Sequence, residues 1–278
     1  MKGNSPMAPV LKWVGGKRQL LPEIRTIIPK DIGVYYEPFL GGGAVLFDLQ
    51  PPRAVVNDIN HELINVYCVI RDQVEELIEH LRGHRNEAAY FYTVRGFDRE
   101  RSAYEQLSAT ERASRILYLN KTCYNGLFRV NQQGEFNAPF GRYRNPNIVN
   151  EAGLRAVSEY FNRAQITFQN VDFARAVEGA TKGDFVYFDP PYDPITESAN
   201  FTGYDKGGFS RSEQIRLKEL CDELDRGGIK FLLSNSATDF ILDLYGSYHV
   251  RIVQAKRSVN SKANKRGYVD EVLVANYD

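Results

Sequence analysis

Short apolar runs rich in β-branched and aromatic residues recur along the chain, each followed by a stretch with helical spacing of its apolar positions. The runs at 35–37, 54–58, 165–170, 185–189 and 230–234 predict strands, and the amphipathic stretches at 44–49, 61–82, 210–226 and 238–245 predict helices. Gly227 and Gly228 mark a helix stop, since glycine enters the left-handed region without a Cβ penalty. Two further runs, 248–254 and 271–276, are separated by a polar, basic loop, which fits an antiparallel pair at one side of the sheet. The alternation as a whole is that of an α/β fold built on a mostly parallel sheet.

One interval breaks the rhythm. A βα repeat needs about 30 residues, yet about eighty separate the end of the second helix from the third strand. Residues 83–150 are rich in Tyr, Arg, Asn and Phe and show no strand and helix alternation. They predict a small helical and loop domain inserted into a larger one made of 1–82 and 151–278, with a helix at 151–163 returning the chain to the sheet.

Composition narrows the class without choosing a function. The 278 residues carry 35 basic and 35 acidic side chains, so a polyanionic partner has to be met by a local patch rather than by net charge. The three cysteines, Cys68, Cys123 and Cys221, have no paired spacing, which argues against a disulfide framework or a metal site. No apolar run approaches the ~20 residues that span a bilayer, and the N-terminal stretch lacks the apolar core of a signal peptide. A cytoplasmic protein with no membrane association and no obligatory protein partner is expected.

Three stretches carry chemistry. The first strand runs into EPFLGGGAVLFDL, where glycines at a strand-to-helix turn allow either close approach of a ligand or tight packing. The next strand ends in Asp58, where a nucleotide fold places an acid against ribose hydroxyls; a helix N-cap is the alternative. The consecutive Gly41, Gly42 and Gly43, preceded by Glu37 and Pro38, depart from the dinucleotide fingerprint and count against NAD. In LKWVGGKRQLLPEI the sole tryptophan, Trp13, precedes a second glycine turn and Lys17; the indole could stack on a base or anchor the segment to the core.

The third stretch, DFVYFDPPYDP at 184–194, sends a buried strand into an acid, two prolines and a tyrosine. Ligands of open α/β sheets sit outside the carboxyl ends of the strands, and Asp189 stands at such an end. The Pro190-Pro191 corner sets the Pro190 carbonyl beside the carboxylate and swings Tyr192 over the same space. Two acceptors and a ring suit a planar ligand with an NH2 group. Adenine's exocyclic amine, whose lone pair is delocalised, becomes a better nucleophile when two acceptors draw it toward tetrahedral geometry beside a methyl sulfonium. Positioning of that kind is worth about 7 to 11 kcal/mol.

Taken together, LKWVGGK, EPFLGGGA and DPPY resemble motifs of the S-adenosylmethionine-dependent DNA adenine-N6 methyltransferases, in the order of their alpha group. The inserted YNGLFRVNQQGEFNAPFGRYRNP is similar to the recognition segment of the Dam branch, which methylates adenine in GATC. The resemblance runs from Leu11 to Tyr277 and implies a Rossmann-like methyltransferase sheet with an inserted target-recognition domain. It implies S-adenosylmethionine as cofactor, contacted by Trp13, Lys17, Glu37, Pro38, Gly41, Gly43, Asp58 and Asp189. It places catalysis on Asp189, Pro190, Pro191 and Tyr192, and needs no metal. It implies double-stranded DNA as substrate, contacted by Lys12, Asn125, Leu127, Arg129, Asn131, Pro139, Arg142 and Tyr143, with Arg129 reading a guanine and Tyr143 wedging into the duplex.

Charge counting points the same way. Between 112 and 146, Arg112, Arg115, Lys121, Arg129, Arg142 and Arg144 face the single acid Glu135 and are interleaved with Tyr118, Tyr124, Phe128, Phe136, Phe140 and Tyr143. Such a mixture grips phosphates and intrudes between bases. A second basic patch, Arg251, Lys256, Arg257, Lys262, Lys265 and Arg266, could close over DNA, and Phe201 and Tyr204 could hold an extruded base. Two other functions remain in play at this point: a DNA-binding regulator on a vestigial fold, and methylation of an RNA adenine or a protein amide.

Overall fold

The computed structural model describes residues 7–195, 209–256 and 268–278. Its strands are β1 (Tyr35–Glu37), β2 (Arg53–Asn57), β3 (Gln165–Gln169), β4 (Phe185–Phe188), β5 (Lys230–Ser236), β6 (His249–Lys256) and β7 (Tyr268–Ala275). They form a seven-stranded sheet in the order β3-β2-β1-β4-β5-β7-β6. β1 runs parallel to β2 and β4, and β4 parallel to β5. β7 enters antiparallel between β5 and β6, so the expected antiparallel pair is present. Chain order reverses between β1 and β4, the kind of switch point beside which open α/β sheets hold ligands.

The helices are α1 (Leu21–Ile27), α2 (Ala44–Leu49), α3 (His61–Asp72), α4 (Val74–Arg82), α5 (Ala88–Gly96), α6 (Arg101–Glu105), α7 (Ala109–Thr122), α8 (Glu151–Arg163), α9 (Arg211–Arg226) and α10 (Asp239–Leu244). The predicted single helix at 61–82 is two, parted at Gln73, whose φ of −140° leaves the helical region. The apolar stripe Leu63, Tyr67, Ile70, Leu77 and Leu81 runs on through the break, and so periodicity does not reveal it. Gln73 instead stands between the end of α3 and the start of α4 and accepts a hydrogen bond from Thr110 at 2.6 Å.

Two compact units are present. The first comprises 1–16, 41–52 and 58–170, and the second 17–40, 53–57 and 171–278. In the second, both faces of β4 are buried, and Tyr36, Val186, Phe188, Phe231, Leu233, Val272 and Val274 pack with Leu217 and Cys221 of α9 and Ile241 of α10. Near-continuous apolar strands are what a sheet covered on both faces requires.

The first unit is organised around α7. Its N-terminus is a capping box: Ser108 Oγ accepts from the Glu111 N–H, and the Glu111 carboxylate accepts from the Ser108 N–H. The S-x-x-E spacing that announces this start was legible in the sequence, although 83–150 was read only as helical and loop. α3, α4 and α5 pack against α7, and burial extends around most of its circumference. Two of the bases counted as a surface patch therefore turn inward. Arg115 is 3% exposed, ion-paired to Asp98 at 2.7 Å and donating to the carbonyls of Val94 and Arg95. Arg112 lies 3.7 Å from Glu62. Counting acids between 112 and 146 missed both partners, because packing brings them from 98 and 62.

Candidate functional site

β4 reads FVYF, all buried, and delivers the chain to Asp189 at its carboxyl end. The Asp189 side chain is 20% exposed and receives the ammonium of Lys17, itself 5% exposed, at 2.7 Å on Oδ1. Ser234 Oγ donates to the same oxygen at 3.1 Å. No described residue bonds Oδ2, and none donates to the Pro190 carbonyl. Burial raises the Asp189 pKa above the ordinary aspartate value, opposed by the Lys17 charge and by the hydrogen bonds from Lys17 and Ser234. Lys17 thus pairs with this carboxylate and also stands 4.5 Å from the centre of the Tyr192 ring.

Tyr192 donates its hydroxyl proton to Glu271 Oε2 at 2.7 Å. Burial raises the pKa of Glu271, with Lys17 and the Tyr192 hydrogen bond acting against it and the Asp189 charge adding to it. Two prolines have no N–H to anchor a corner, so the hold comes through the Pro191 carbonyl and through Asp193. Gln214 donates to the Pro191 carbonyl at 2.9 Å and accepts from Asn235, which in turn accepts from the Asp193 N–H at 3.1 Å. The Asp193 carboxylate is 1% exposed, ion-paired to Arg211 at 3.0 Å and bonded by Thr238 at 2.8 Å. β5, α9 and the start of α10 thus fix the turn.

Glu37 ends β1 and Pro38 follows it, in the same unit. Glu37 is 2% exposed and accepts from the Tyr35 hydroxyl at 2.8 Å. The Pro38 carbonyl accepts from Asn57 at 3.0 Å, and the Asn57 carbonyl accepts from the Leu40 N–H at 2.8 Å.

In the first unit, Trp13, the glycine turn and Asp58 come together. Asp58 Oδ2 accepts from the Gly41 N–H and Oδ1 from the Asn60 N–H, both at 2.9 Å. The cap of α3 is Asn60, so Asp58 braces the glycine turn instead of ending a helix. Burial raises its pKa, and the two N–H groups oppose the rise. Beside it, Ile59 is 78% exposed. Gly41 and Gly43 have φ of 49° and 67°, and a Cβ on Gly41 would lie 2.8 Å from Trp13 Cδ1. Glycine is needed here for backbone sign and for the indole lying on the turn. Trp13 also stacks on Phe128, centroids 4.9 Å apart, which favours its reading as an anchor.

The segment 120–143 lies wholly in this unit. The buried Asn120 amide clamps the Lys12 backbone, accepting from its N–H at 2.9 Å and donating to its carbonyl at 2.8 Å. The Lys12 ammonium lies 5.9 Å from the Tyr143 ring centre. A hairpin is closed by bridges Val130↔Phe136 and Cys123↔Phe140. Asn131 turns its tip by accepting from the N–H groups of Gln133 and Glu135. Arg129 is exposed, its guanidinium bonded to the Asn137 side chain at 2.6 Å and to the Asn137 carbonyl at 3.2 Å. Asn125 and Arg142 are exposed with φ of 59° and 54°, Pro139 is exposed, and Leu127 and Tyr143 are half-buried. By contrast Tyr118 and Phe136 belong to the core rather than to a surface.

Phe201, Tyr204, Arg257, Lys262, Lys265 and Arg266, expected to hold an extruded base or close over DNA, lie outside the described residues. The sequence reading passed over Ser234, Asn235, Glu271, Asn120 and Asn137. The signal for the first three was a polar residue inside a run otherwise fit for a buried strand, in FLLSNS and YVDEVLVA.

Residues 13–259 match the family described as D12 class N6 adenine-specific DNA methyltransferase. The chain is 42% identical over 278 residues to Type II methyltransferase M1.LlaDCHI of Lactococcus lactis subsp. cremoris, covering 99% of this chain and 98% of that one. It is 40% identical over 290 residues to Type II methyltransferase M.MjaIII of Methanocaldococcus jannaschii, covering 97% and 99%. To the DNA adenine methylase of Escherichia coli (strain K12) it is 35% identical over 268 residues, covering 95% and 93%.

Proposed function

Because the chain belongs to the D12 class of N6 adenine-specific DNA methyltransferases, we propose that it transfers the methyl group of S-adenosylmethionine to an adenine extruded from duplex DNA at GATC. Membership in that class displaces the RNA, protein-amide and vestigial-regulator readings. The observation that carries the reading of the chemistry is the state of Asp189, whose Oδ1 is held by Lys17 and Ser234 while Oδ2 has no described partner.

In this reading Oδ2 of Asp189 and the Pro190 carbonyl accept the two hydrogens of the adenine amine, and the Tyr192 ring stacks on the purine. S-adenosylmethionine, when bound, supplies a methyl group on a sulfonium. Asp58 keeps acceptor capacity for ribose hydroxyls beside the exposed Ile59, and this reading assigns cofactor contacts to Trp13, Gly41 and Gly43 in the first unit and to Lys17, Glu37 and Pro38 in the second. The chain's work is to orient the amine, exclude water and hold Asp189 ionised through Lys17.

An adenine inside a duplex cannot present its amine to a strand-end turn, and extrusion costs a few kcal/mol. Lys12, Arg142 and Tyr143 offset that cost with phosphate and stacking contacts, while Arg129, Asn125, Leu127, Asn131 and Pro139 read the site. Residues 83–150 act as the recognition domain, and 1–82 with 151–278 as the catalytic one. Three free cysteines suit work in the reducing cytoplasm, and among the described residues no helix is long and apolar enough to cross a membrane.

The test is tritium transfer from labelled S-adenosylmethionine to a GATC duplex and to one of scrambled sequence. The GATC duplex should be labelled at least about 10²-fold faster, each wrong base pair costing ~1 to 3 kcal/mol. Asp189→Ala should lower the rate by about 10³-fold or more. Equal labelling of both duplexes overturns the GATC assignment, and an active Asp189→Ala overturns the catalytic one.

A further inference from the structure

The DPPY turn has a second carboxylate that the reaction scheme does not use. Glu271 lies in β7, registered opposite Ser236 of β5 and Val253 of β6, and is followed by the buried run Val272, Leu273, Val274 and Ala275. A half-buried acid in such a strand is costly, and an apolar side chain of similar size would serve the core better. Its Oε2 accepts the Tyr192 hydroxyl proton at 2.7 Å, and the Lys17 ammonium and Asp189 carboxylate act on the same group electrostatically.

We propose that Glu271 is a positioning residue for methyl transfer, holding the Tyr192 ring in the plane and orientation in which it receives the extruded base. A phenolic O–H lies in the plane of its ring, so the acceptor that takes its proton sets the ring's tilt as well as its long axis. The Pro190-Pro191 corner, tied by Gln214 at the Pro191 carbonyl, fixes the Cα end of Tyr192. Glu271 fixes the hydroxyl end, and Lys17 stands 4.5 Å from the ring centre. A ring anchored at both ends loses little rotamer freedom when a base arrives. The hydrogen bond to a carboxylate also pushes electron density into the ring, which strengthens its attraction for the positive charge that develops on the reacting nitrogen.

The proposal rests on Tyr192 being the residue that stacks on the target base, and the experiment separates the two claims. Single-turnover methyl transfer and the fluorescence of 2-aminopurine at the target position are measured for the full-length wild type and for Tyr192→Ala, Tyr192→Phe, Glu271→Ala, Glu271→Gln and the double variant Tyr192→Phe/Glu271→Ala. Thermal unfolding and cofactor affinity are recorded for each. Glu271→Ala should slow transfer about tenfold and alter the 2-aminopurine signal, with cofactor affinity within about twofold of wild type. Glu271→Gln, whose amide oxygen still accepts the phenolic proton, should recover most of the rate. The double variant should be no slower than the slower single one, since both changes break one hydrogen bond. Additive losses, failure of Gln to rescue, or a rate loss matched by weaker cofactor binding overturns the role of Glu271. If Tyr192→Ala leaves transfer and fluorescence unchanged, the stacking assignment itself falls.

Discussion

The DPPY turn and the hairpin closed by Val130↔Phe136 and Cys123↔Phe140 are held by different means. The turn is enclosed by side chains from β5, α9 and β7, and its functional groups stand in ion pairs and hydrogen bonds that span 18 to 172 positions of sequence, from the Arg211–Asp193 pair to the Lys17–Asp189 pair. The hairpin is braced in part by its own side chains. Asn131 turns its own tip and Arg129 leans on Asn137 eight residues away, while among the more distant supports Asp98 and Arg99 grip the backbone of Phe136, Arg95 donates to the Ala138 carbonyl and Trp13 stacks on Phe128. Chemistry needs a carboxylate whose charge and geometry do not vary, which distant rigid elements supply. Under the proposed function, DNA contact needs side chains that reach outward, and Arg129 and Arg142 are exposed.

The contrast breaks most readily at Lys17. Replacing it by Met leaves Asp189 and Glu271 partly buried without their ammonium, a loss of about 3 to 5 kcal/mol in stability for a buried pair, measurable by urea unfolding. The sign of the accompanying pH effect is fixed. Lys17 lowers the Asp189 pKa against the upward push of burial, so its removal raises that pKa further. The acid limb of the transfer rate, where the carboxylate takes up a proton, should move to higher pH; an unmoved limb would show that Lys17 does not govern Asp189.

A smaller effect belongs to the first unit. His84 stacks on Tyr118 at 4.3 Å and bonds Tyr90 and Ser114, and burial holds its pKa down at about 4. Unfolding frees it to bind a proton below about 6.5. The folded state therefore binds fewer protons, and stability falls as pH drops from about 6.5 to about 4, by about 3 kcal/mol at most. Urea midpoints followed over that interval should show this slope in the wild type and a shallower one in His84→Gln.

The smallest effect tests the hairpin. Asn137→Ala releases the Arg129 guanidinium, so discrimination against a changed guanine in GATC should fall about tenfold, or ~1.4 kcal/mol. Unfolding midpoint and the rate on saturating GATC duplex should stay near wild type. Unchanged discrimination would mean that the duplex alone orients Arg129.

Much of this was legible early because it is local. The apolar runs gave β1 and α2 to the residue, and DPPY marked Asp189 because a proline corner after a buried strand admits few other uses. The helix break at Gln73 was not legible, since a continuous apolar stripe crosses it. The basic and aromatic patch at 112–146 was overcounted for the same kind of reason: Arg115 and Tyr118 look like an interface in a list of charges and rings, but α7 is a central helix of its unit and buries both.

What the chain determined by itself was the alternation of the sheet's strands with helices and the identity of the acid at the end of β4, both consequences of periodicity and backbone stereochemistry acting over a few residues. Only the tertiary structure decided which charges meet. Lys17 and Asp189 are 172 positions apart, and Tyr192 and Glu271 are 79 apart. The pairing of buried polar groups is set by which strands become neighbours, because a charge removed from water must find a partner across the fold wherever the sheet delivers one.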